Sequence, residues 1–151
     1  MSGAGSRQPV PIMSLSSLQR RRLAAAARRA ARTAYAPYSR FRVGAAVLAG
    51  SGEIYAGANV ENASYGLACC AERAAVFQAV AAGERRIVAV AVHTPTRSPT
   101  PPCGACRQVI NEFGPRAAVI CTCNGRQRIE TTLDRLLPES FGPKSLRAGR
   151  R

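Results

Sequence analysis

Apolar residues along this chain recur with changing period, and the changes mark out its elements. Residues 1 to 14 hold Gly, Ser and Pro without an apolar period and are expected to form a disordered lead-in. Ser16 or Ser17 can cap a helix reaching about Tyr35. Along it Leu18, Ala25, Arg29 and Arg32 mix apolar and basic faces, and Pro37 bars continuation. Val43 to Leu48 predicts a strand, Gly50-Ser51-Gly52 a turn, and Ile54 to about Val60 the returning strand of a hairpin.

The second half alternates buried strands with helices. Cys70 to about Ala82 predicts a helix ended by Gly83. Ile87-Val88-Ala89-Val90-Ala91-Val92 is continuously apolar, as suits a strand covered on both faces. A Pro-rich loop spans Thr94 to Pro102. Cys103 to Phe113 predicts a further helix, stopped by Gly114 and Pro115. Ala117 to Cys123 predicts a second buried strand, and Asn124-Gly125 signals a hairpin turn. A strand from about Gln127 to Thr131 and a short helix at Leu133 to Leu137 follow. The order α-β-β-α-β-α-β-β-α places crossover helices between strands. The expected class is α/β, a three-layer α-β-α sandwich around a central mixed five-stranded sheet. The expected division is the extension 1–14, one domain over 15–146, and a basic tail over 147–151.

Charge complicates this picture. The net charge is +14, and no acidic residue precedes Glu53, whereas nine arginines do. A nucleic-acid or anionic-surface patch is one explanation. Coding bias is another, since Lys144 is the only lysine and alanine is abundant. The Ser/Arg-rich start also resembles an organellar transit segment. There is no apolar run long enough to span a membrane and no secretory pattern, so a cytoplasmic protein is expected, with an organelle as the alternative. Six cysteines in such a compartment point to metal binding or catalysis rather than disulfides.

Two cysteine motifs carry the candidate chemistry. Cys70-Ala71-Glu72 opens one helix, and Pro102-Cys103-Gly104-Ala105-Cys106 opens the next. Helix starts offer free N–H groups and positive dipole charge, which stabilise thiolates. Adjacent buried strands should deliver both starts to one sheet edge, so Cys70, Cys103 and Cys106 can meet at one metal. Three protein ligands with a fourth position open is the pattern of a catalytic zinc. His93, the only histidine, lies at a strand end and is expected to be structural or solvent-facing. Cys69, Cys121 and Cys123 are expected to pack. A thioredoxin-like redox pair is a rival for Cys103 and Cys106, but it would need neither a third cysteine nor a carboxylate. Three thiolates overcompensate a divalent ion, so a cation should offset them. Arg73 lies beside the site and Arg107 follows Cys106; either could be a solvated helix charge, and Arg73 is expected to take the offsetting role.

These residues, with Ala36-Pro37-Tyr38-Ser39-Arg40-Phe41-Arg42-Val43-Gly44-Ala45-Ala46, Asn59-Val60-Glu61-Asn62-Ala63-Ser64-Tyr65-Gly66-Leu67, the Arg73 and Arg107-Gln108-Val109 flanks, and Leu137-Pro138-Glu139-Ser140-Phe141-Gly142-Pro143, resemble the cytidine deaminase family in its small three-cysteine branch. The likeness covers roughly residues 15 to 146. It implies one zinc per chain and a free nucleoside as substrate, cytidine or deoxycytidine. Glu72 would move protons between water, N3 of the cytosine ring and the departing amino group. It further implies that Asn59 and Glu61 hold the ribose, with Glu61 at the 3′-hydroxyl, that Phe41 lies near the pyrimidine, and that Ala71 lines the pocket. Ala63, Tyr65 and Phe141 would come from neighbouring subunits of a homotetramer. The long basic start and Cys69 depart from the family pattern.

Three rivals make different demands. A polynucleotide-editing deaminase would want aromatics along a groove, yet Trp is absent. A noncatalytic zinc module would need a fourth protein ligand. A deaminase of cytosine-containing antibiotics would have no use for the Asn59 and Glu61 pair.

Overall fold

The computed structural model describes residues 15–148, so the expectations for residues 1 to 14 and for most of the tail lie outside the described residues. Helix α1 (Ser17–Ala31) is followed by strands β1 (Gly44–Ala49) and β2 (Ile54–Ala58). Then come α2 (Ala71–Ala81), β3 (Ile87–His93), α3 (Gly104–Phe113), β4 (Ala118–Thr122), β5 (Ile129–Thr132), α4 (Leu133–Leu136) and α5 (Pro143–Ala148). The sheet runs β2-β1-β3-β4-β5. Only β3 and β4 are parallel, with Val92 opposite Cys121 and His93 opposite Thr122; the other pairs are antiparallel. The mixed five-stranded sheet with helices on both faces is thus the arrangement that the order of elements predicts.

Strand alternation sorts the core into two layers. Ala45, Val47, Val90, Val92, Val119 and Cys121 face α2 and α3 in one cluster with Ala75, Val76 and Ile110. Ala46, Leu48, Ala89, Ala91, Ala118 and Ile120 face α1 in the other, with Leu23 and Ala27. The second set is rich in alanine, so α1 packs close to the sheet. Gly44 marks that closeness, because a Cβ there would overlap the backbone of Ala27 and Ala31. Gly57 does the same on the opposite face, against the backbone of Ala71, Ala74 and Ala75.

Boundaries differ from the expected ones where tertiary pairing intervenes. Ser16 caps α1 in a capping box with Gln19. The helix ends at Ala31 rather than near Tyr35, because Tyr35 leaves to bridge Val60: its N–H donates to the Asn59 carbonyl and its carbonyl accepts from the Glu61 N–H. Val60 in turn bridges Cys69, so β2 stops at Ala58. Asn124-Gly125 does not form a two-residue hairpin. The Asn124 N–H donates to Thr96, which ties this longer connection to the Pro-rich loop. A 3₁₀ turn at Tyr65–Leu67 and the helix α5 were not foreseen.

Candidate metal and substrate site

Cys70 is the N-cap of α2 and Cys103 the N-cap of α3; Cys106 lies one turn inside α3. Strands β2 and β3 both run antiparallel to β1 and so end at the same sheet edge, where α2 and α3, which follow them, begin. The three sulfurs all lie within 4.8 Å of one another. Cys70 Sγ and Cys103 Sγ are 3.9 Å apart. Two thiolates bound to one tetrahedral zinc at 2.3 Å would sit about 3.8 Å apart, so the spacing fits that ion. The donor set fits as well, being three soft sulfurs of graded exposure: Cys106 buried, Cys70 half-buried and Cys103 exposed.

Electrostatics prepare the cluster for a cation. The Cys70 thiol is held down to about 5, first by a hydrogen bond from Cys106 and then by Arg73. The Cys106 thiol is pushed up, first because it donates that bond and then by burial. A negative charge on Cys70 therefore rests within the cluster, and a divalent cation bound there would draw off the Cys106 proton. Arg73 Nη2 stands 3.8 Å from Cys70 Sγ and donates to the Ala68 carbonyl at 3.1 Å. Arg107, the alternative offsetting cation, turns away and donates to the carbonyls of Pro102 and Leu136 at 2.7 and 2.9 Å.

Glu72 is 5% exposed in the first turn of α2. Burial, and after it the Cys70 charge, lifts its carboxyl above the ordinary range, although its own backbone N–H, Cys106 and Arg73 oppose the shift. It lines a pocket together with Cys70, Cys103, Ala71, Phe41 and Asn59. Val43, Val92, Thr94, Thr100 and Pro101 line the same pocket and were not singled out from sequence. Their one advance signal is position, since a strand end and a Pro-rich loop lead directly into Cys103.

The remaining candidates are spread over the rim. Both ends of the Asn59 amide are engaged: its Oδ1 accepts from the Val43 N–H at 2.8 Å and its Nδ2 donates to the Phe41 carbonyl at 2.8 Å. Asn59 thus holds the Phe41–Val43 backbone in place. Glu61 lines a second hollow with Tyr38, Ser39 and Tyr65. It accepts from the Tyr38 and Ser39 N–H groups at 2.9 and 3.2 Å and from the Ser39 hydroxyl. The Ser39 hydroxyl bond chiefly holds this carboxyl below its ordinary value. A carboxylate offers about four acceptor sites, which leaves room for one more donor. Tyr65 is 76% exposed and meets Tyr38 edge-on at 5.8 Å. Phe141 is 60% exposed, and its carbonyl accepts from Gln108 and Asn111. Ala63, Tyr65 and Phe141 do not line the cysteine pocket of their own chain.

Comparison with known proteins agrees with this geometry. Residues 17–122 match the family described as the cytidine and deoxycytidylate deaminase zinc-binding region. The chain is 52% identical over 109 residues to a cytidine deaminase of Halalkalibacterium halodurans, covering 72% of this chain and 83% of that one. A cytidine deaminase of Sporosarcina psychrophila is 47% identical over 126 residues, or 83% of this chain and 93% of the relative. The crystal structure of cytidine deaminase from Burkholderia pseudomallei superposes with a TM-score of 0.78 at 46% identity, over 84% of this chain and 100% of that one. With the matched region enclosing all three cysteines and Glu72, this chain belongs to the cytidine and deoxycytidylate deaminase family.

Proposed function

We propose that this enzyme hydrolyses free cytidine and deoxycytidine to uridine and deoxyuridine with release of ammonia, a step in pyrimidine salvage. The observation that carries the proposal is a buried carboxylate, Glu72, beside three convergent sulfurs in a pocket that Phe41 and Asn59 also line. Cys70, Cys103 and Cys106 would hold one zinc per chain, which when bound makes water acidic enough to act as nucleophile near neutral pH.

Glu72 does the proton work. Its carboxylate takes a proton from water and passes it to ring N3, which makes C4 electrophilic. The hydroxide left by that water adds to C4, Glu72 carries the proton of the new C4 hydroxyl to the exocyclic nitrogen, and ammonia departs as the C4 carbonyl forms. Burial suits this shuttle, because a carboxyl lifted above its ordinary range both accepts and returns a proton more readily near neutral pH. Arg73 keeps the sulfur cluster from becoming too electron-rich through its contact with Cys70. Ala71, fully buried at the first position of α2, leaves space for the ring.

Glu61 would receive the 3′-hydroxyl at its free acceptor position, with Asn59 beside it. The same negative charge disfavours a 3′-phosphate and hence polynucleotides. Ala63, Tyr65 and Phe141 would complete a neighbouring subunit's pocket in a homotetramer. Their exposure on the single chain, together with that of Leu67, supports this sharing. All six cysteines are free, which suits the reducing cytoplasm, and no described helix is long and apolar enough to cross a membrane.

The test is an ultraviolet absorbance assay with cytidine, deoxycytidine, cytosine and cytidine monophosphate. Turnover of the two nucleosides at least about tenfold better in kcat/KM than of the base or the nucleotide is expected. Equal turnover of the monophosphate or of a single-stranded oligonucleotide would overturn the nucleoside assignment.

A further inference from the structure

His93 and its neighbours in sequence point to opposite faces of the sheet. Val92 and Thr94 line the cysteine pocket, whereas His93 lines a separate pocket under α1. In that second pocket Arg21, Ala24, Ala25 and Arg28 follow the i, i+3, i+4, i+7 stripe of one helix face. The two alanines leave a hollow with an arginine at each end. Arg128, just before β5, supplies a third guanidinium from across the pocket, and Thr122 adds a hydroxyl from the end of β4.

No carboxylate answers these charges. The pocket has no acidic residue in its lining. Among the described residues the one ion pair joins Arg20 to Glu130, and neither lines this pocket. Residues 1–14 and 149–151 contain no Asp or Glu, so no side-chain carboxylate outside the described residues is available either. Like charges gathered at one hollow repel, and a bound anion removes that repulsion. Planar guanidinium forks suit the oxygens of phosphate in particular, each able to bind two at once. The hollow is lined by no Phe, Tyr or Trp, and its one aromatic ring, His93, is buried, so it lacks the row of stacking platforms of a single-stranded nucleic-acid groove.

We propose that Arg21, Arg28 and Arg128 form a binding site for the phosphate group of a small phosphorylated molecule, on the face of the sheet opposite the cysteine cluster. His93 is the wall of that site and reports on it. The residue is 4% exposed, and its Nδ1 lies 3.0 Å from the Thr122 hydroxyl. Burial, and after it the Arg28 charge, holds it below its ordinary value, so an anion on Arg28 should relax part of that shift.

The chain has a single histidine, so in the full-length, tag-free, zinc-loaded protein every imidazole NMR signal is that of His93. Titration with pyrophosphate and with inorganic phosphate, against sodium chloride at matched ionic strength, should give saturable shifts with the phosphates alone. Arg28→Gln and Arg128→Gln should each weaken the pyrophosphate response at least about tenfold, the loss of one charge-assisted contact, while cytidine turnover stays unchanged. Arg21→Gln provides a third variant should either of the others unfold by circular dichroism. No saturable shift, an equal shift with chloride, or variants that respond like the parent would each overturn the proposal. A shift with a single-stranded oligonucleotide but not with pyrophosphate would overturn it as well, in favour of a polynucleotide surface. None of these readouts depends on deaminase activity, so their failure is distinct from failure of the catalytic assignment.

Discussion

The two faces of the sheet treat charge in opposite ways at the ends of β3 and β4. Toward α2 and α3, the charged groups are paired or buried: Arg73 meets Cys70, and Glu72 is enclosed next to the sulfur cluster. Toward α1, Arg21, Arg28 and Arg128 share a hollow with no carboxylate. Adjacent strand residues supply both surroundings, since alternation sends Val92 and Thr94 one way and His93 the other. The lesson is that net charge describes neither face. A chain at +14 builds a pocket fit to hold a cation on one side and an uncompensated basic pocket on the other.

Substitutions on the two faces should therefore separate chemistry from packing. The largest effect is expected for Cys103→Ala, which removes one of three ligands. Metal analysis should find the zinc lost, and activity should vanish with it. A zinc-free variant with full activity would show that the cysteine face is not the reaction centre.

Glu72→Gln comes next. It should retain zinc and nucleoside binding while kcat falls by about 10²–10⁴, the usual range for general acid–base catalysis. Steady-state kinetics within tenfold of the parent would move the proton shuttle to another group.

Packing supplies a paired test of the two faces. Gly44→Ala forces α1 away from the sheet, and Gly57→Ala forces α2 away on the opposite side. Each should cost about 1–3 kcal/mol in denaturant unfolding, as overpacking does. Only Gly57→Ala should also depress kcat, because α2 carries Cys70 and Glu72. Equal losses of kcat in both variants would mean that the site senses the whole fold rather than its own face.

The smallest predicted effect concerns the rim. If Glu61 receives the 3′-hydroxyl, 3′-deoxycytidine leaves a charged acceptor short of a donor, and kcat/KM should fall at least about tenfold. Cytidine 3′-monophosphate should be worse, since two negative groups would be brought together. Glu61→Gln should soften both penalties. Cytidine 3′-monophosphate processed as well as cytidine would remove Glu61 from the ribose site and favour the polynucleotide alternative.

Local chemistry was legible where the backbone itself demands a residue type. Cysteines at predicted helix starts, a Glu two residues after one of them, and apolar runs of strand length each carry their own physical reason, so the sulfur cluster and the mixed sheet could be anticipated. The loop that lines the pocket could not be, because Thr94, Thr100 and Pro101 have no periodicity or ligand chemistry of their own. Nor did local preference foretell that Tyr35 would leave α1, since the decisive partner, Val60, lies 25 residues away.

By itself, then, the sequence determined the element types, the two motif-bearing helix starts and the excess of positive charge, all of which depend on neighbours a few residues apart. Tertiary structure decided what meets what. The common direction of β2 and β3, both antiparallel to β1, set Cys70 against Cys103 and Cys106, and the pleat divided Val92, His93 and Thr94 between two pockets. It gave Arg73 rather than Arg107 the contact with sulfur, although both follow a cysteine within three residues. Which of two similar side chains reaches a thiolate depends on where its helix packs, and that is fixed by contacts far apart in the chain.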